Sequence, residues 1–220
     1  MLKTAELFDL EHVRSPLREL LEVEHPWEVL ARLDSFVSGI EHDVRGEVHP
    51  TAVLEGDIYL AEGAVVGPHA YVKGPAWLGE GAEVGHGAYL RGSVVLAPGA
   101  KIGHASEAKR SLFLEGAKAP HFNYIGDAVL GRKVNLGAGV KLANFKAGGR
   151  TVRVGGPDTG LRKFSAAVGD EVFVGCNAVL SPGTLVGPRT TVYNGAMLRG
   201  VYAADSIVKL RQTLESTPRH

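Results

Sequence analysis

Three histidines in the middle of the chain, His86, His104 and His121, follow one another at steps of 18 and then 17. Imidazole is the side chain whose ordinary pKa lies closest to neutral, so histidines are the first candidates for moving a proton. One surface histidine says little. Three at a nearly constant step would share one edge of a chain that repeats with that step, where they could hold a metal or flank a ligand cleft. Arg91 and Lys109 are also 18 apart, which puts two cations on one edge beside the histidines. A second basic group, Lys146, Arg150, Arg153, Arg162 and Lys163, lies in the stretch 145–167.

The step is real. Counting by six from Val48 meets Leu54, Leu60, Val66, Val72, Leu78, Val84, Leu90, Leu96 and Ile102, ten Leu, Ile or Val in succession. The fifth residue of each unit is small or β-branched, as at Ala64, Ala70, Ala76 and Ala82, and Gly67, Gly79, Gly85 and Gly103 directly follow lead residues. The register slips at Phe113, Ile125 and Leu130 and resumes at Leu136, Leu142 and then Val168 to Leu198. One such unit cannot bury its apolar side, whereas stacked units share a continuous core. Three units make an 18-residue triangular coil. A β-sandwich would instead show period two and irregular turn spacing. The expected fold is an all-β solenoid, a left-handed parallel β-helix of hexapeptide repeats, over 47–203.

The flanks read differently. Residues 1–46 lack the step; Ser15-Pro16 and His25-Pro26 open helices over PLRELLEVE and PWEVLARLDSFV, the latter with Trp27, Leu30, Leu33 and Val37 on one face. They are expected to form a small helical cap over the solenoid's open end. Residues 204–220 are expected to form a short helix with a loose tail. The segment 145–167 is too polar and glycine-rich to continue the core, and a loop of that length is a solvated excursion or an arm toward an anionic ligand or a neighbouring subunit.

Composition narrows the setting. Of 220 residues, 24 are Lys or Arg and 24 are Asp or Glu, so nothing electrostatic favours nucleic acid or an anionic membrane surface. No run approaches the ~18 apolar residues of a membrane span. The acidic start (Glu6, Asp9, Glu11) is unlike a signal peptide, and Cys176 is the single cysteine. A cytoplasmic protein is expected, with no membrane and no nucleic-acid partner.

The stretch Glu107-Ala-Lys109, KAPHFNYIGDAVLGRKVNLGAG from Lys118 to Gly139, Asn144, and VGDEVFVGCNAVLSPGTLVG from Val168 to Gly187 resembles a known family. It is the acetyltransferase domain of the bifunctional N-acetylglucosamine-1-phosphate uridylyltransferase/glucosamine-1-phosphate acetyltransferases. The resemblance covers about 90–205. It implies that His121 is the general base for an amine attacking acetyl-CoA, and that Arg91 and Lys109 hold a sugar phosphate. It further implies that Tyr124, Asn135 and Asn144 line the sugar pocket, and that Ala138, Lys163, Cys176, Asn194 and Lys209 contact the coenzyme. No metal is implied, and a homotrimer with sites between neighbouring solenoids is. The acceptor would be an amino-sugar phosphate such as glucosamine-1-phosphate, or a nucleotide-linked amino sugar.

The chain departs from that family in Phe145 for tyrosine, Cys176 for serine, Asn194 for alanine, Pro120 for glycine, and a longer loop after Asn144. The segment 1–46 is too short for the family's nucleotidyltransferase domain, so that half is expected to be missing. Two other classes fit the repeat. A γ-type carbonic-anhydrase-like metal hydratase would need a His-x4-His pair, but Gly126 stands five after His121. A non-catalytic module, such as a partner of a separate nucleotidyltransferase, would keep the fold without turnover.

Overall fold

The computed structural model describes residues 2–218. From Asp43–Val44 to Ile207–Val208 the chain winds as a left-handed parallel β-helix with three faces. One face is a nine-stranded parallel sheet, from Glu47–Val48 through Lys101–His104 and Lys118–His121 to Ile207–Val208. The other two faces form a single fifteen-stranded sheet, because Glu107–Phe113 and Tyr124–Leu130 run unbroken around the corner between them. The lead aliphatics point inward and are fully buried from Leu60 and Val66 to Val192 and Leu198. Each removes enough apolar surface from water to contribute about 1.5–3 kcal/mol.

The slip in the repeat has a local cause. Tyr89 pairs with Glu107, one full coil on, but Glu107 pairs with Tyr124, which falls one position short of a full coil. At the corner between the two joined faces, the preceding coil turns through Gly92 and Ser93, with φ of 86° and 51°. The next two coils turn on single residues, Arg110 and Asp127, with φ of 45° and 51°. Losing a residue at the corner lets the flanking strands merge. In the following coil the same corner opens into the long excursion, so that Leu142 pairs with Leu180 and the whole excursion lies between them.

Three expectations are corrected. The helices do not cover the solenoid's end. Val29–Ser38 lies along the side, against the strands that carry Val95, Leu112 and Val129, and Leu30, Leu33 and Val37 join those residues in a second core. The reason is an outward row of apolar residues on one face, Trp77, Val95, Leu112, Val129, Ala167 and Leu185, which needs a cover. The excursion is no solvated loop either: Val152, Val154 and Phe164 are fully buried in that second core, with Phe164 edge-on to Trp27. Finally, no helix forms between 204 and 218. Ile207–Val208 is instead a last solenoid strand, and the end of the expected tail lies outside the described residues. Among the described residues, no helix is long and apolar enough to cross a membrane.

Asp170 clamps the N-terminal segment to the solenoid, accepting from the backbone N–H of Asp9 (2.9 Å) and of Arg132 (2.7 Å). Burial pushes its carboxyl above the ordinary carboxylate value, against the lowering effect of those two bonds. The folded chain therefore holds this proton more tightly than the unfolded chain, and the stability it lends falls as pH rises through the raised value. Relative to Asp170→Asn, wild type should gain stability as pH falls toward the ordinary carboxylate range, measured by denaturant unfolding at a series of pH values.

Two glycines separate steric from conformational demands. A Cβ on Gly103 would collide with the backbone carbonyl of Pro120 in the next coil. Gly99 has φ of 67° and open space around it. Gly103→Ala should cost about 3 kcal/mol as overpacking, and Gly99→Ala only about 1 kcal/mol as left-handed strain. Thermal and urea unfolding of the two variants tests the ordering.

Candidate active site

One corner of the solenoid carries the histidines. At this corner a residue with positive φ donates its N–H to a carbonyl of the coil before: Ala105 to His86 (3.1 Å), Phe122 to His104 (2.9 Å) and Gly139 to His121 (2.9 Å). The series continues with Asn177 to Ala138 (2.8 Å) and Gly195 to Cys176 (2.9 Å). These bonds align His86, His104, His121, Ala138, Cys176 and Asn194 in one column. Four residues assigned separately to catalysis and coenzyme contact thus share a single edge.

Within the column, His86 and His104 are occupied with each other. Their Nδ1 atoms are 2.9 Å apart and their rings stack at 4.9 Å. The His121 imidazole is exposed and makes no hydrogen bond among the described residues. Its backbone is fixed instead. Asn123, buried at 3% exposure, accepts the His121 N–H (3.0 Å) and donates to the Gly137 carbonyl (2.7 Å). Among the described residues no three His, Cys, Asp or Glu side chains converge as a metal site.

The face that begins at this corner carries Arg91, Lys109 and Tyr124. Tyr89 and Leu90 pair with Glu107 and Ala108, so Lys109 stands over Arg91. Arg91 is held by Glu107 at 2.7 Å, whereas Lys109 has no ion pair among the described residues. Burial, followed by the charges of Glu107 and Asp127, raises the Tyr124 phenol above its ordinary value, so it stays protonated at neutral pH. A Cβ on Gly126 would lie 2.7 Å from both the Tyr124 hydroxyl and the Asn144 amide, so glycine there lets these two groups meet.

Behind them runs a chain of contacts that sequence reasoning missed. Asn144 Nδ2 donates to Asp127 Oδ2 (2.5 Å); Asp127 is 1% exposed and 3.5 Å from the Arg110 guanidinium. Arg110 in turn donates through Nε and Nη2 to both oxygens of Asp34 on the helix Val29–Ser38, at 2.6–3.1 Å. The only signal in the sequence was the missing residue at the corners of Arg110 and Asp127.

The chain has relatives among known proteins. No protein-family model matches the chain. The bifunctional protein GlmU of Methanococcus maripaludis strain C7 is 41% identical over 201 residues, 90% of this chain and 49% of that protein. Over nearly its whole length the chain is therefore similar to GlmU. It spans about half the length of the curated relatives it matches. A bifunctional sugar-1-phosphate nucleotidylyltransferase/acetyltransferase of Sulfurisphaera tokodaii is 36% identical over 96 residues, 42% of this chain and 24% of that one. Among solved structures, LpxA, a UDP-N-acetylglucosamine acyltransferase from Bacteroides fragilis, is 14% identical with a TM-score of 0.35, covering 75% of this chain and 69% of that one.

Not every expected residue of this GlmU relative converges within one chain. Asn135 lies round the corner on the nine-stranded face, paired with Lys118 and Phe173. Lys163 comes from the excursion and lines a cleft of about 540 Å³ together with Lys109, Asp127 and Phe145. Lys209 follows the last strand, exposed, one position short of the histidine column.

The buried carboxylate is the part of the site most sensitive to change. Asp127→Asn leaves Asp34 as the one carboxylate on Arg110 and weakens the buried charge-assisted bond from Asn144, and should cost about 2 kcal/mol in chemical denaturation. Combining it with Asp34→Asn should cost more than the sum, because only the double variant leaves the Arg110 charge uncompensated.

Proposed function

We propose that the chain is an acyl-CoA-dependent N-acyltransferase, with acetyl-CoA as donor, acting on an amino-sugar phosphate or a nucleotide-linked amino sugar. The observation that carries this reading is the corner column: an unengaged His121 imidazole followed by Ala138, Cys176 and Asn194. Successive coils are about 4.8 Å apart, so an extended thioester arm laid along Ala138, Cys176 and Asn194 ends beside His121. The face next to it offers Arg91 and Lys109 for a phosphate, and Tyr124 and Asn144 for sugar hydroxyls. The amine nitrogen attacks the thioester carbonyl, His121 removes the proton from that nitrogen, the new C–N bond forms, and the C–S bond breaks to release coenzyme A.

The active assembly in this reading is a homotrimer. Phe122, Phe173, Tyr193 and Met197 are 47–77% exposed around the same edge, an apolar rim that a neighbouring solenoid would cover. Asn135, turned away from Tyr124 within one chain, would serve a site shared with that neighbour.

His121→Ala should lower acetyl-CoA thiol release by about 100-fold or more in the presence of amino-sugar phosphates, with the oligomeric state unchanged by light scattering. Equal thiol release from variant and wild type with every amino sugar offered would overturn the assignment.

A further inference from the structure

The excursion builds a second cleft that the transfer reaction above leaves unused. It has a volume of about 900 Å³ and lies between the two limbs of the excursion and the outer edges of two later coils, at Ser181 and Arg199. Four cations line it, Lys146, Arg150, Arg153 and Arg199. Arg153 is 4.0 Å from Asp158, which is itself held by the Thr151 hydroxyl (2.6 Å) and the Gly160 N–H (2.9 Å). Lys146, Arg150 and Arg199 have no ion pair among the described residues. Three uncompensated positive charges therefore share one concavity of a protein whose total charge is zero.

The backbone that carries Arg153 is held in place. Val152 and Val154 are fully buried on either side of Arg153, which leaves the arginine on the outer side of the same strand. The Arg153 carbonyl lies against Gly183, where any Cβ would collide with it. The limbs are joined by antiparallel bridges between Phe145 and Lys163 and between Arg153 and Asp158. Like charges fixed side by side repel one another, and a bound anion relieves that repulsion. At the rim the Phe145 ring is 50% exposed and forms a wall common to this cleft and the smaller one at Lys109.

We propose that this cleft is a second ligand site, separate from the acetyl-transfer site, and that it binds a nucleoside diphosphate. A terminal phosphate carries about −2 at neutral pH, and the inner phosphate brings a diphosphate to about −3, which matches the three unpaired cations. The Ser181 hydroxyl stands among them as a polar partner. The exposed Phe145 ring offers a stacking surface for the base, a contact worth about 1–3 kcal/mol. The volume lies within the ~300–1,000 Å³ usual for small-molecule sites, whereas nucleic acid would need a basic stripe far longer than this cleft.

The test is calorimetric titration of the full chain with uridine diphosphate, adenosine diphosphate and inorganic pyrophosphate, each with and without saturating coenzyme A. Saturable binding of a nucleoside diphosphate, one per chain and persisting with coenzyme A present, is expected. Arg150→Ala combined with Arg199→Ala should weaken nucleotide and pyrophosphate alike by tenfold or more. Phe145→Ala should weaken only the nucleotides. All three side chains are exposed, and a thermal melt checks that each variant is folded. The proposal fails if no saturable binding is seen, if the arginine variant binds as wild type does, or if Phe145→Ala leaves nucleotide binding intact. It fails equally if coenzyme A displaces the nucleotide, since the cleft then belongs to the acyl donor. Because His121→Ala should bind the nucleotide normally, the outcome is independent of whether acetyl transfer occurs.

Discussion

Each coil of this solenoid is closed by its neighbours and not by itself. A single turn has one inward aliphatic per face and three corners, too little to bury on its own. Stacking supplies both missing parts, a shared core and partners for the corner amides. The histidine corner shows the second part most clearly. There the left-handed residue of one coil donates to the carbonyl of the coil before, from His86 through Cys176. That ladder fixes which side chains share an edge, so a site built on it inherits the spacing of the strands.

Departure from the regular coil is what links the solenoid to the rest of the molecule. Losing one residue at two consecutive corners puts Arg110 and Asp127 on single left-handed positions. Opening the same corner in the next coil releases the excursion, starting at Asn144. These events occur on adjacent turns, so Asp127 meets Asn144 on one side and Arg110 on the other. Arg110 carries the connection to Asp34 and the helical segment. The helices and the excursion then pack together over the apolar row from Trp77 to Leu185. The polar network and the second core hold the same pieces together, one by charge and the other by burial.

Exposure separates the histidine edge from this buried side. His121, Cys176 and Asn194 are exposed, while Asn123 beneath them is buried and fully engaged. The interior is rigid and the groups along this straight edge are exposed, with the His121 imidazole free of any hydrogen bond among the described residues.

Much of this was legible in the residue order. The six-step of aliphatics determined a solenoid, because only stacked coils bury that pattern. The step of three such units determined that His86, His104 and His121 share an edge and that Lys109 stands over Arg91. What lies outward on a strand was harder to read, since an outward Val or Leu looks the same whether it faces solvent, a helix or another subunit. For that reason the helices were expected at the solenoid's end and are found along its side. The Asp34–Arg110–Asp127–Asn144 contacts depend on groups from the helical segment, two coils and the start of the excursion meeting at a corner. No local spacing encodes that meeting. Only the packing of helix, solenoid and excursion around one buried carboxylate decides it.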